Sequence, residues 1–111
     1  MTTANFDLSG SESAWKQPAV GTAGNFAQPV PTDRGAQPYR LAKWKGQPGS
    51  YDRPSGMPWD EIFVVYKGLG RVTMNDKTVE ISAGTIIELR KGVPYVLEIY
   101  ETIEKMAVIN E

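Results

Sequence analysis

The chain has neither histidine nor cysteine, and this narrows its chemistry before any fold is considered. A serine–histidine dyad, a thiol nucleophile, a disulfide and thiolate-held metal are all excluded. The commonest ligand for zinc, copper or iron is missing as well. Reactive groups must be carboxylates, hydroxyls, lysine, arginine or backbone. The residue that draws attention is Glu61, which opens the apolar run DEIFVVY, with Gly68 seven positions later. A carboxylate at the head of a buried strand can serve as general acid or base, or receive a cation.

The elements that must position it are strands. Between Gly49 and Gly92, runs rich in Val, Ile, Phe and Tyr are broken by Gly, Asn and Asp, which is strand-and-turn chemistry. YRLAKW (39–44) reads as the first strand, Gly46 to Gly49 as a turn, and residues 50–60, with two prolines, as a loop or weak edge strand. Asp60 to Tyr66 is the strongest strand. Lys67-Gly68-Leu69-Gly70 reads as a tight corner. A hairpin turns around Asn75-Asp76-Lys77, Thr85 to Leu89 is another strand, and Tyr95 to Tyr100 and Lys105 to Ile109 finish the sheet. A brief turn of helix is expected over Thr102 to Lys105. Many short strands with glycine turns predict an antiparallel sandwich or barrel.

At 111 residues and a formal charge of −1, one domain with a modest core is expected, with neither nucleic acid nor membrane as partner. Without a transmembrane run or a signal-like apolar core near the N-terminus, a cytoplasmic location is expected. Residues 1–38, rich in Thr, Ala, Ser, Gln, Gly and Pro, read as an extended arm with Phe6, Trp15 and Phe26 as anchors, or as a disordered tail. Residues 39–111 form the barrel.

The motif spacing resembles the cupin superfamily. Gly49 begins its first motif, Glu61 takes the glutamate place and Gly68 closes it, while Ser55 and Met57 stand at the two histidine places. In the second motif Gly84 and Gly92 match, Arg90 holds the proline place and Tyr95 the histidine place. A narrower resemblance covers roughly residues 40–111. Trp44, Pro48-Gly49, Asp60-Glu61, Gly70-Arg71-Val72, Ala83-Gly84 and Glu101-Thr102 with Lys105 are similar to marks of small single-domain cupins. These are the ureidoglycine aminohydrolase-like and ethanolamine-utilisation types. The resemblance implies an all-β cupin (RmlC-like) antiparallel β-barrel, or jelly roll, with an extended N-terminal arm.

Cupin metal sites hold iron, manganese, nickel or zinc with three imidazoles and one carboxylate, and only Glu61 remains here. Ser55 is a weak ligand, a thioether at Met57 suits copper(I), and Tyr95 coordinates only as phenolate. No metal and no other cofactor is expected. By alternation Glu61 points into the barrel with Phe63 and Val65. It is either a structural carboxylate paired with Arg90 or Tyr95, or a partly desolvated group with a raised pKa. In the second case Glu61→Gln would spare stability and weaken binding. The expected ligand-binding set is Tyr51, Ser55, Met57, Trp59, Glu61, Arg90 and Tyr95, with Glu61 and Tyr95 as the candidate catalytic pair.

The function expected is a metal-free cupin that binds a small-molecule metabolite. A small lyase, isomerase or amidohydrolase using Glu61 and Tyr95, or a non-catalytic barrel filled by side chains, are the alternatives. A homodimer is expected, because Ile62, Val64 and Tyr66 would face outward and need a cover.

Overall fold

The structure is a computed structural model that describes residues 25–30 and 39–111. The described residues form seven strands and no helix: β1 (Asn25–Val30), β2 (Tyr39–Gly46), β3 (Gly49–Arg53), β4 (Asp60–Met74), β5 (Lys77–Ile81), β6 (Ile86–Leu89) and β7 (Tyr95–Asn110). Every pairing is antiparallel. The strand order is β1-β2-β7-β4-β5, with β3 also on β7 and β6 also on β4.

Two long strands organise this sheet. The first part of β4 pairs with the last part of β7, and their other halves pair with each other beyond a register shift. β2 and β6 flank the first block, whereas β3 and β5 flank the second. The sheet thus wraps on itself as a jelly roll. Its core gathers Ala42, Tyr51, Phe63, Val65, Val72, Ile81, Ile87, Leu89, Leu97, Ile99, Ile103, Ala107 and Ile109. Alternation along β4 buries Glu61, Phe63 and Val65 and leaves Ile62 outside, as the period-2 pattern of DEIFVVY predicts.

Two sequence expectations are corrected. Lys67 to Gly70 is not a corner between strands but a bulge within β4, with register shifts between Val65 and Gly70. Gly68 has φ +97° and a side chain there would run into the Thr102 carbonyl, so the close approach of β7 demands glycine. Opposite this bulge, Thr102 to Lys105 stays in strand. The bulge breaks alternation there, so Ile103, Glu104 and Lys105 are buried in succession. Residues 50–60, read as a loop or weak edge strand, contain both: β3 ends at Arg53, pairs with β7 alone, and is followed by the loop 54–59. The hairpin is where it was expected but its loop is one residue shorter: Lys77 already pairs with Met74, and Asn75 and Asp76, with φ 52° and 62°, are the left-handed pair of a type I′ turn.

The N-terminal arm lies outside the described residues apart from β1, whose backbone pairs with β2. A proline within β1 suits its place at one end of the strand order. Among the described residues no helix is long and apolar enough to cross a membrane.

Candidate functional site

Glu61 is the second residue of β4 and 4% exposed. Its carboxylate has two partners. Lys105 Nζ donates to Oε2 at 2.9 Å and Trp59 Nε1 donates to Oε1 at 3.0 Å. Lys105 lies opposite Val65 and Trp44 in the ladders of β7 with β4 and β2. Its ammonium sits 3.8 Å from the Phe63 ring centroid and 4.9 Å from that of Trp44. Two aromatic faces and one carboxylate therefore surround a buried cation, which the ring quadrupoles favour. Arg40 stacks over Trp59 at 4.8 Å and is ion-paired to Glu111.

Burial pushes the Glu61 carboxyl upward. The charge and hydrogen bond of Lys105, the Trp59 hydrogen bond and the charge of Arg40 together outweigh it, so the group is held below the usual carboxylate range. The expectation of a raised pKa is thereby corrected: Glu61 is an ionised carboxylate at neutral pH. Its expected pairing with Arg90 or Tyr95 is corrected too. Arg90 is exposed and donates from Nε to Glu88 Oε1 at 2.9 Å. With Asp60, Glu61, Ile62, Glu88, Val108 and Asn110 it lines a groove of about 230 Å³.

Tyr95 opens β7 and is buried. Burial first, and then the charge of Glu61, push its hydroxyl up to about 12, against the opposing charge and hydrogen bond of Arg53. It stays a neutral phenol at any physiological pH. Tyr51 is buried in β3, donates to the Gln47 carbonyl at 2.7 Å and meets Trp44 edge-on at 5.7 Å. Its hydroxyl therefore holds the β2–β3 turn. Met57 and Trp59 are half-buried against the core, whereas Ser55 is exposed in the loop 54–59.

Two loops close this end of the barrel. The Gly92 amide donates to the Met57 carbonyl at 3.0 Å, and the Lys91 amide donates to Asp60 Oδ1 at 2.8 Å. Gly56, with φ +67°, lies against the Val93 backbone where a side chain would collide. The loops 54–59 and 90–94 are thus joined beside Glu61, Arg53 and Tyr95.

The family model of the EutQ-like cupin domain matches residues 35–107. The chain belongs to the EutQ-like cupin family. This cupin is similar in fold to the polyketide cyclase RemF from Streptomyces resistomycificus, at 16% identity over 98% of this chain and 80% of that one, with a TM-score of 0.73. It is similar also to a putative ethanolamine utilization protein Q from Salmonella typhimurium LT2, at 15% identity over 78% and 68%, with a TM-score of 0.65. Ectoine synthase from P. lautus follows at 14% identity over 82% and 67%, with a TM-score of 0.68. No curated protein matches the chain significantly.

The residues present do not fit the metal that the cupin motif implies. Both oxygens of Glu61 already accept hydrogen bonds, one from an ammonium. Of the residues at the histidine places, Ser55 is turned to solvent and Tyr95 is held protonated. Among the described residues no cluster of three acidic, histidine or cysteine side chains could hold an ion.

Sequence reasoning missed Lys105, Arg53, Trp44 and Arg40. Lys105 had a signal: in IEKMAVI it occupies an inward place among Ile103, Ala107 and Ile109. A lysine there requires an inward anion, and Glu61 is one. The expected helical turn over Thr102 to Lys105 hid that register.

Proposed function

We propose that this cupin binds a small-molecule metabolite in its barrel, without a metal, at the end where Glu61, Lys105, Trp59 and Tyr95 converge. The observation that carries this reading is the Glu61–Lys105 ion pair, 2.9 Å apart and nearly inaccessible. A barrel filled only for stability gains nothing from such a pair, because desolvating two charges offsets their attraction and apolar residues of similar size do as well or better. A charged pair among aromatic faces does make sense as a fixed dipole against which a polar ligand orients. Lys105 also supplies the positive charge that the glutamate place otherwise takes from an ion.

The enzyme reading with Glu61 and Tyr95 as base and acid is less favoured. A carboxylate held below its usual range is a weak base, and a phenol near 12 is a weak acid. Both lie far from the neutral values that make proton transfer efficient.

The test is a metabolite screen by thermal shift, followed by titration of each hit while the indole resonance of Trp59 is observed. Saturable binding that moves Trp59 in chelator-treated protein is the expected result. A screen in which no compound raises the melting temperature or moves Trp59 would favour the filled barrel instead.

A further inference from the structure

Arg53 ends β3 opposite Tyr95 in the β3–β7 ladder. It is partly exposed, yet its Nε is buried and has no hydrogen-bond partner. A buried charged donor without an acceptor is expensive. The guanidinium donates to the Tyr95 hydroxyl, which leaves Nε unsatisfied, and among the described residues no carboxylate lies within ion-pair distance of Arg53. The anion on the same side of the barrel, Glu61, is matched by Lys105, and Arg40 is matched by Glu111. Arg53 is therefore left without a carboxylate partner among the described residues.

We propose that Arg53 anchors a small organic carboxylate at the Tyr95 end of the barrel. This names the ligand class of the binding reading above and rests on it. The Nε–H and an adjacent Nη–H of a guanidinium form a planar fork that fits a carboxylate side-on. The Tyr95 hydroxyl, close to Arg53, is a neutral donor for the same anion. A guanidinium without a carboxylate partner matches a monoanion, and the Glu61 charge acting on Tyr95 disfavours a dianion such as phosphate. Met57 and Trp59, half-buried at the same end, offer an apolar face to the remainder of the acid.

The experiment uses the full chain, labelled with ¹⁵N, and titrates acetate, propionate and benzoate, each against its neutral amide. The Arg53 Nε–H resonance, assigned through its contacts to Tyr95, is followed together with the Trp59 indole. At least one acid is expected to shift Arg53 saturably while its amide does not, and Arg53→Lys should weaken that acid at least tenfold. The wild-type titration stands even if the variant fails to fold. Acids that move Trp59 but not Arg53, or amides that bind as well as acids, would overturn the anion assignment and leave the ligand-binding reading standing. If neither acids nor amides move either resonance, the anion assignment falls; the binding reading falls with it only if the metabolite screen is also blank.

Discussion

Lys105 reaches past three residue pairs of the β4–β7 ladder to Glu61: it lies opposite Val65, while Glu61 lies opposite Ile109. Its Nζ ends 2.9 Å from the carboxylate with the Phe63 ring beside it. The central charge of the barrel is thus satisfied internally, by a residue forty-four positions away.

Breaking this pair from one side leaves a charge in an apolar place. Glu61→Gln and Lys105→Met are each expected to lower unfolding free energy by about 3–5 kcal/mol. This revises the expectation that Gln at position 61 would spare stability. The double variant Glu61→Leu with Lys105→Met should recover most of that loss. Urea denaturation of the three proteins measures it, and additive losses in the double variant would contradict a direct pair.

The pH dependence has a definite sign at both ends. The folded pKa of Glu61 lies below its ordinary 4.5. Its stabilising contribution is therefore full above that value and lost as pH falls through the folded value. For Tyr95 the folded value is about 12 against an ordinary 10.0. Stability held below pH 10 should decline as pH rises from about 10 towards 12. Denaturation midpoints across both windows check this; Tyr95→Phe should shrink the alkaline decline and spare the acid one, and the remainder belongs to Tyr51, whose hydroxyl is also pushed up by burial.

Purified protein should carry no stoichiometric transition metal, and a chelator should leave its melting temperature unchanged. The donor chemistry of Ser55, Met57 and Tyr95 motivates this. Elemental analysis after dialysis decides it, and about one metal per chain would contradict it.

The outer face of the sheet predicts self-association. Ile62 is 48% and Ile86 67% exposed. Val64 pairs with both Ile86 and Met106, and Ile62 with Val108, so these residues form one apolar patch. Tyr66 belongs to it less than expected, since it is half-buried with its hydroxyl 3.4 Å from Glu104. Light scattering should give a dimer mass, and Ile62→Glu with Ile86→Glu should give a monomer. A monomeric wild type would mean that the patch is covered within one chain.

Much of this molecule is local and therefore legible in its residues. Period-2 alternation put Glu61, Phe63 and Val65 on one face, and Asn75-Asp76 marked its hairpin through left-handed backbone preference. The lack of imidazole and thiol limited the chemistry without any coordinates. Of the partners of Glu61, Trp59 is local, but the charged one is not. Arg90 and Tyr95 stood with it in the motif, but Arg90 follows β6, is exposed and turns to Glu88. Lys105 becomes the partner because the pairing of β4 with the last part of β7 sets an inward lysine beside Phe63, within reach of Glu61. Arg53 came inward when residues 49–53 paired with β7 rather than forming a loop. The ionisation of Glu61 follows from those contacts, because desolvation raises a carboxyl pKa and a neighbouring ammonium lowers it. Which of the two prevails is set by distances that only the folded chain possesses.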